Sequence, residues 1–160
     1  MAYDAQDDDG RRDFHFLYGR WAVKHRRLTA RGSGQDDWDE FEGSSFTHGL
    51  MDGLCNIEQS DFPDRAFQGV AFRTFDIAAR LWSIQWVSST DGRVQPPVHG
   101  RFEGGVGVFL GDDVDDGRPV KVRFLWDAIA PGSARWSQSF SYDGGETWET
   151  NWIMAFTRTA

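Results

Sequence analysis

With 160 residues the chain has room for one domain, and its net charge of −8 argues against nucleic acid and anionic membranes, which need a basic patch. Eight Trp and thirteen Phe, set among 18 Gly and 5 Pro, suit short aromatic strands and tight turns. A single cysteine, Cys55, excludes an intramolecular disulfide framework, and without a charged-then-apolar leader or a long apolar run a soluble cytoplasmic protein is expected.

The chain opens on "DAQDDDG", and residues 1–12 read as a disordered, solvated acidic tail. "RRDFHFLYG" follows, with Phe14 and Leu17 three apart and Gly19 as a stop, which predicts a short helical turn. Beyond it the helical period disappears. Ten runs read as strands, roughly at 20–29, 37–47, 51–59, 66–75, 80–89, 97–103, 106–111, 119–127, 134–141 and 147–158. The connections, among them "STDGR", "EGG", "GDDVDDGRP" and "YDGGE", carry Gly, Asp or Pro and have hairpin length. No helix is long enough for a crossover, so the chain predicts an antiparallel meander. Residues 13–160 are expected to form one all-β domain, an antiparallel up-and-down β-barrel of about ten strands, which also removes exposed edges. An open sandwich is the alternative.

Alternation assigns faces. Val120, Val122, Phe124 and Trp126 share one face, as do Trp136, Gln138 and Phe140, and Trp82, Ile84 and Trp86. In the last run Trp148, Trp152, Met154 and Phe156 oppose Glu149, Asn151 and Thr157. The aromatic faces are expected inside.

"SYDGGETW", residues 141–148, matches the S-x-D-x-G-x-T-W pattern that sialidases carry on the hairpins of a propeller. A propeller needs at least four blades of four strands, which this length does not allow. With one copy the pattern reads as a corner: Asp143 caps backbone N–H groups before the final strand. "GDDVDDG" has the acid density of a calcium loop but not its spacing, since Val114 interrupts it and no Glu closes it.

"YGRW" places Gly19 two residues before Trp21, after a helical turn, and "MAFTRTA" places Arg158 on the last strand. Together with ten strands these residues resemble the calycin superfamily, the lipocalin-like and fatty-acid-binding-protein-like barrels. Within it the chain is similar to an uncharacterised bacterial family of small lipocalin-like proteins. The resemblance rests on "DFHFLYGRW", "GVAFRTFD", "RLWSIQW", "GRFEGGVGVF" and "DGGETWETNWIMAFTR". It implies that Trp21 crosses the closed end of the barrel and that Arg158 stacks on its indole. It also implies an interior cavity.

If Trp21 points inward, so do Val23, His25 and Arg27. Glu40, on the next run with Trp38 and Glu42, completes a His25–Arg27–Glu40 cluster able to anchor a polar head group or move a proton. The competing reading puts these three at the mouth as solvated pairs. Deeper polar candidates are Asn56, Thr74 and Gln138, each of which either orients a ligand or holds a strand in register. Trp82, Trp86, Trp136 and Trp152 either wall a cavity or fill the barrel. His99 and Arg101 fall on the outer face.

No metal site is expected, because His15, His25, His48 and His99 are dispersed and no metal-ligand spacing occurs. A haem held by one His would need no such spacing, but nothing points to one, and no cofactor is expected. Three functions compete. The first is binding of a small, largely apolar or aromatic molecule. The second is an isomerase, cyclase or lyase using His25 or Glu40 as general acid or base. The third is an assembly role, as a homodimer through an outer strand face.

Overall fold

Runs in which aromatic and β-branched residues alternate with polar ones form ten antiparallel strands. The computed structural model describes residues 9–160, so the first eight residues of the predicted tail lie outside it. The strands are β1 (Gly19–Leu28), β2 (Trp38–Leu50), β3 (Cys55–Phe62), β4 (Phe67–Asp76) and β5 (Leu81–Ser88), then β6 (Val98–Glu103), β7 (Val106–Asp115), β8 (Arg118–Ala130), β9 (Ser133–Ser141) and β10 (Glu149–Arg158). Each pairs with its neighbours in sequence, and β10 returns to β1, closing an up-and-down barrel. Among the described residues no helix is long and apolar enough to cross a membrane.

The boundaries differ most from the sequence reading at two places. The acidic stretch 111–119 is not a loop. β7 and β8 stay paired to Asp115 and Arg118, and the chain reverses through Asp116 and Gly117 alone, at φ 50° and 78°. Positive φ at both central residues matches a twisted two-residue hairpin, for which Asp-Gly is a favoured pair. Met51–Gly53, read as the start of a strand, is instead a 3₁₀ turn ahead of β3.

One end of the barrel is plugged. A 3₁₀ turn, His15–Leu17, lays Phe14 and Leu17 into it with no exposed surface. The indole N–H of Trp21 donates to the Leu17 carbonyl at 2.9 Å. Above that indole, at 4.2 Å from its ring, lies the Arg158 guanidinium. It donates to the carbonyls of Phe16 and Tyr18, both at 2.6 Å, and to Pro131 at 2.9 Å. The plug also takes Gly10, whose carbonyl accepts from the Trp82 indole at 3.1 Å. Trp82 meets Phe14 edge to face, with ring centroids 4.9 Å apart.

Gly19 is part of this closure. Its φ is 113°, and a Cβ there would stand 2.8 Å from both an Arg158 guanidinium nitrogen and the Ala160 carbonyl. A side chain at 19 and the guanidinium compete for one volume, which gives the Gly-x-Trp spacing its physical reason.

Replacing Arg158 by Met keeps the hydrophobic stem but leaves the Phe16 and Tyr18 carbonyls without their charged donor. We expect a loss of about 2–4 kcal/mol in urea unfolding. A change under about 0.5 kcal/mol would mean that the plug holds without it.

Candidate functional site: an aromatic cavity

Above the plug the barrel is not filled. A cavity of about 570 Å³ opens at the opposite end. Its wall is aromatic because the inward positions of β4, β5, β8, β9 and β10 carry Phe67, Trp86, Phe124, Trp136, Phe140 and Trp152. The rings meet edge to face. Phe124 lies 5.0 Å from Trp136, Trp136 lies 5.7 Å from Trp152, and Trp152 lies 6.4 Å from Trp86. Such edge-to-face pairs stabilise the wall beyond the area they bury. Gly69 makes room for part of it: a Cβ there would fall 1.9 Å from the Trp86 ring.

The sequence-predicted residues divide. Arg27, Trp86, Trp136, Gln138 and Trp152 line the cavity. The guanidinium of Arg27 lies 5.1–5.5 Å from the rings of Phe41, Phe67 and Trp152. Asn56 is interior and fully buried beneath the cavity, and Trp82 belongs to the plug instead of the wall.

Two placements are corrected. Glu40 points outward, its side chain 71 % exposed, and pairs with Arg26 at 3.2 Å. The residue across from Arg27 is Asp39, which Arg65 binds at the mouth. Thr74 is also on the outer face, in register with Cys55 and Ser83, because its neighbours Arg73 and Phe75 take the inward positions.

His25 is inward but walled off. It is 3 % exposed, stacks on Phe41 at 4.7 Å, and accepts the Trp152 indole N–H on Nδ1 at 3.0 Å. Burial, with a smaller contribution from the positive charge of Arg27, lowers its pKa from 6.5 to about 4. A neutral imidazole that positions Trp152 from behind is a support for the wall. The His25–Arg27–Glu40 cluster does not form.

Besides Arg27 and Gln138, the cavity meets polar groups that the sequence reading missed. Arg73 and Glu58, each 3 % exposed, form an ion pair of 2.6 Å at its floor. A second Arg73 nitrogen donates to Asn56 Oδ1 at 2.9 Å, and Ser45 donates to the other Glu58 oxygen at 2.7 Å. Period two from Asn56 reaches Glu58 and Ser60, so that signal was present in the sequence. On β4 the usual contrast is reversed: Val70 and Phe72 are exposed while Arg73 is buried.

Asn151 was assigned outward. A β-bulge between Thr150 and Trp152 inserts it as an extra residue on the inner face, 1 % exposed, where Gln138 donates to its Oδ1 at 2.8 Å. The bulge also reverses the strand before it. Trp148, expected inside, stands outside under the guanidinium of Arg123 at 4.4 Å.

At the mouth, the β1–β2 loop is tied to the far wall. Arg31 pairs with Asp115 at 2.9 Å, and Tyr142 donates to the same carboxylate at 2.6 Å. Burial opposes ionisation of Asp115, but these two hydrogen bonds, with the positive charges of Arg31 and Arg118, outweigh it and hold the carboxyl below its usual pKa. The Gly32 N–H donates to Glu149 at 2.8 Å. The corner "SYDGGETW" lies beside this rim. Asp143 accepts from Ser141 Oγ and from the Thr147 N–H at 2.8 and 2.9 Å, which lowers its pKa to about 2, the Thr147 side-chain hydroxyl contributing most. Among the described residues no cluster of His, Cys, Asp or Glu could hold a metal ion.

No family model matches the chain, and no curated protein is significantly similar to it. The geometry of the cavity therefore carries the functional reading.

His25 gives a pH signature. Folding favours its neutral form, so the unfolded chain binds the extra proton between pH 6.5 and about 4. The stability it confers is complete above that window and falls as pH drops through it. Thermal melts across the window are expected to show wild type losing up to roughly 3 kcal/mol that His25→Gln does not lose. Parallel curves for the two proteins would remove His25 as the cause.

Proposed function

We propose that the barrel binds a small, largely apolar or aromatic molecule inside its cavity. The observation that carries this reading is about 570 Å³ of unfilled interior walled by Trp86, Trp136 and Trp152. The volume is in the range of small-molecule sites, and the lining combines rings with a few convergent polar groups, as such sites do. A core that served only stability would close on itself at native packing density. The calycin-type reading belongs to the same proposal, and its support is the Arg158–Trp21 stack behind Gly19.

A binding role needs volume and an anchor, and both are available. An acid–base enzyme needs a titrating group within reach of its substrate. Neither group considered for that role meets the cavity lining: Glu40 is on the outer surface and His25 lies behind Trp152. Binding is therefore the reading the geometry supports best.

Titration with 1-aminoanthracene, a neutral fluorescent aromatic, tests it. We expect saturable one-to-one binding, a blue-shifted probe and quenching of the wall tryptophans. Ala71 lines the cavity, so Ala71→Phe should fill the space and weaken binding by about tenfold or more. Absence of saturable binding, or equal binding to the filled variant, overturns the proposal.

A further inference from the structure

The cavity lining carries four arginines, and three of them have a carboxylate partner. Arg73 is met by Glu58 at 2.6 Å, Arg31 by Asp115 at 2.9 Å, and Arg65 by Asp39. Arg27 is the fourth. Among the described residues its guanidinium has no ion pair and no hydrogen bond. Asp39 stands opposite it in register but gives both oxygens to Arg65, one of them to Nε at 2.8 Å. Arg27 is half-buried, and none of its guanidinium nitrogens is closed off from accessible space, so a ligand can reach them.

Phe41, Phe67 and Trp152 hold the group between their rings at 5.1–5.5 Å, and the last two belong to the cavity wall. Ring faces attract the charge but do not replace acceptors for its five N–H groups. Burial lowers the pKa of Arg27, Asp39 opposes that shift, and the charges of Arg31 and Arg65 add to it. A guanidinium does not release its proton in response, so the charge remains to be met.

The lining's acids without a cation are on the other side of the mouth. Asp91 lies in the β5–β6 connection and Asp113 on β7, each accepting only a backbone N–H nearby. They direct an anion toward β1. There, three arginines and two carboxylates leave one surplus positive charge. A monoanion cancels it, and a carboxylate fits the guanidinium fork with two parallel hydrogen bonds.

Resting on the binding reading above, we infer that the ligand is an aromatic carboxylic acid, bound as its anion. Its rings lie within the wall of Trp86, Trp136 and Trp152, and its carboxylate stays at the mouth on the Arg27 guanidinium.

2-Naphthoate and 2-naphthamide, nearly alike in shape and different in charge, test this. At neutral pH and low salt, wild type should bind the naphthoate about tenfold or more tighter than the amide. Added salt should narrow the difference. In Arg27→Met, which keeps the stem and loses the charge, the ratio should fall toward one. If that variant does not fold, wild type carries the same test. Its Arg27 Nε–H resonance should shift with naphthoate and not with naphthamide. Naphthoate binding no tighter than naphthamide in wild type overturns the inference and leaves the aromatic-binding reading, which 1-aminoanthracene reports separately, intact. A naphthoate preference that survives Arg27→Met, or an unmoved Nε–H resonance, overturns it too, by placing the anion elsewhere. Failure of both probes and of 1-aminoanthracene to bind removes the binding reading itself.

Discussion

The Arg158 guanidinium on the Trp21 indole is the contact through which the barrel closes. β1 and β10 are the first and last strands, so their pairing joins the two ends of the chain and comes at the largest loop-closure cost in the fold. The guanidinium holds that seam together with the 3₁₀ turn and the β8–β9 connection, through carbonyls at 16, 18 and 131. A ten-stranded barrel is wider than the roughly eight strands that side chains just fill. The chain fills one end with Phe14, Leu17, Trp21 and Trp82 and leaves the other hollow. Plug and cavity are two outcomes of one diameter.

The Arg73–Glu58 pair marks the border between them. Two charges out of water gain little net stability unless their remaining hydrogen-bonding groups are also met. Here Asn56 and Ser45 meet most of them, and the Phe14 ring lies against the guanidinium face. The arrangement makes the interior polar at its base and aromatic around its wall, which is the layout of a site that orients a molecule as well as enclosing it.

Most of the fold was legible because its signals are local. Hairpin turns and period-two alternation located ten strands, and the closed end at Trp21 and Arg158 was what the resemblance to lipocalin-like barrels implied. The site was less legible because its residues break local rules. Arg73 is buried between exposed Val70 and Phe72 on one side and exposed Asp76 on the other, so its strand reads inside out. Glu40 was carried to the wrong face by taking Trp38 as an inward residue, whereas Arg26 stacks on Trp38 outside the barrel. His25 was placed on the correct face, but only three-dimensional packing sets Trp152 between it and the cavity. No one-dimensional pattern contains that screening.

The bulge at Asn151 acts on β10 as a frameshift acts on a coding strand. Downstream of it the inward frame reads Trp152, Met154, Phe156; upstream it reads Glu149. One residue thus sets the meaning of its neighbours on both sides. Deleting Asn151 would leave one unbroken alternation, with Glu149 inward, Thr150 outward and Trp152 inward as they stand now. What the wall would lose is one inward amide and its hydrogen bond with Gln138. Substitution and deletion at this position are therefore different experiments, one changing a group on the wall and the other removing the bulge while its neighbours keep their faces.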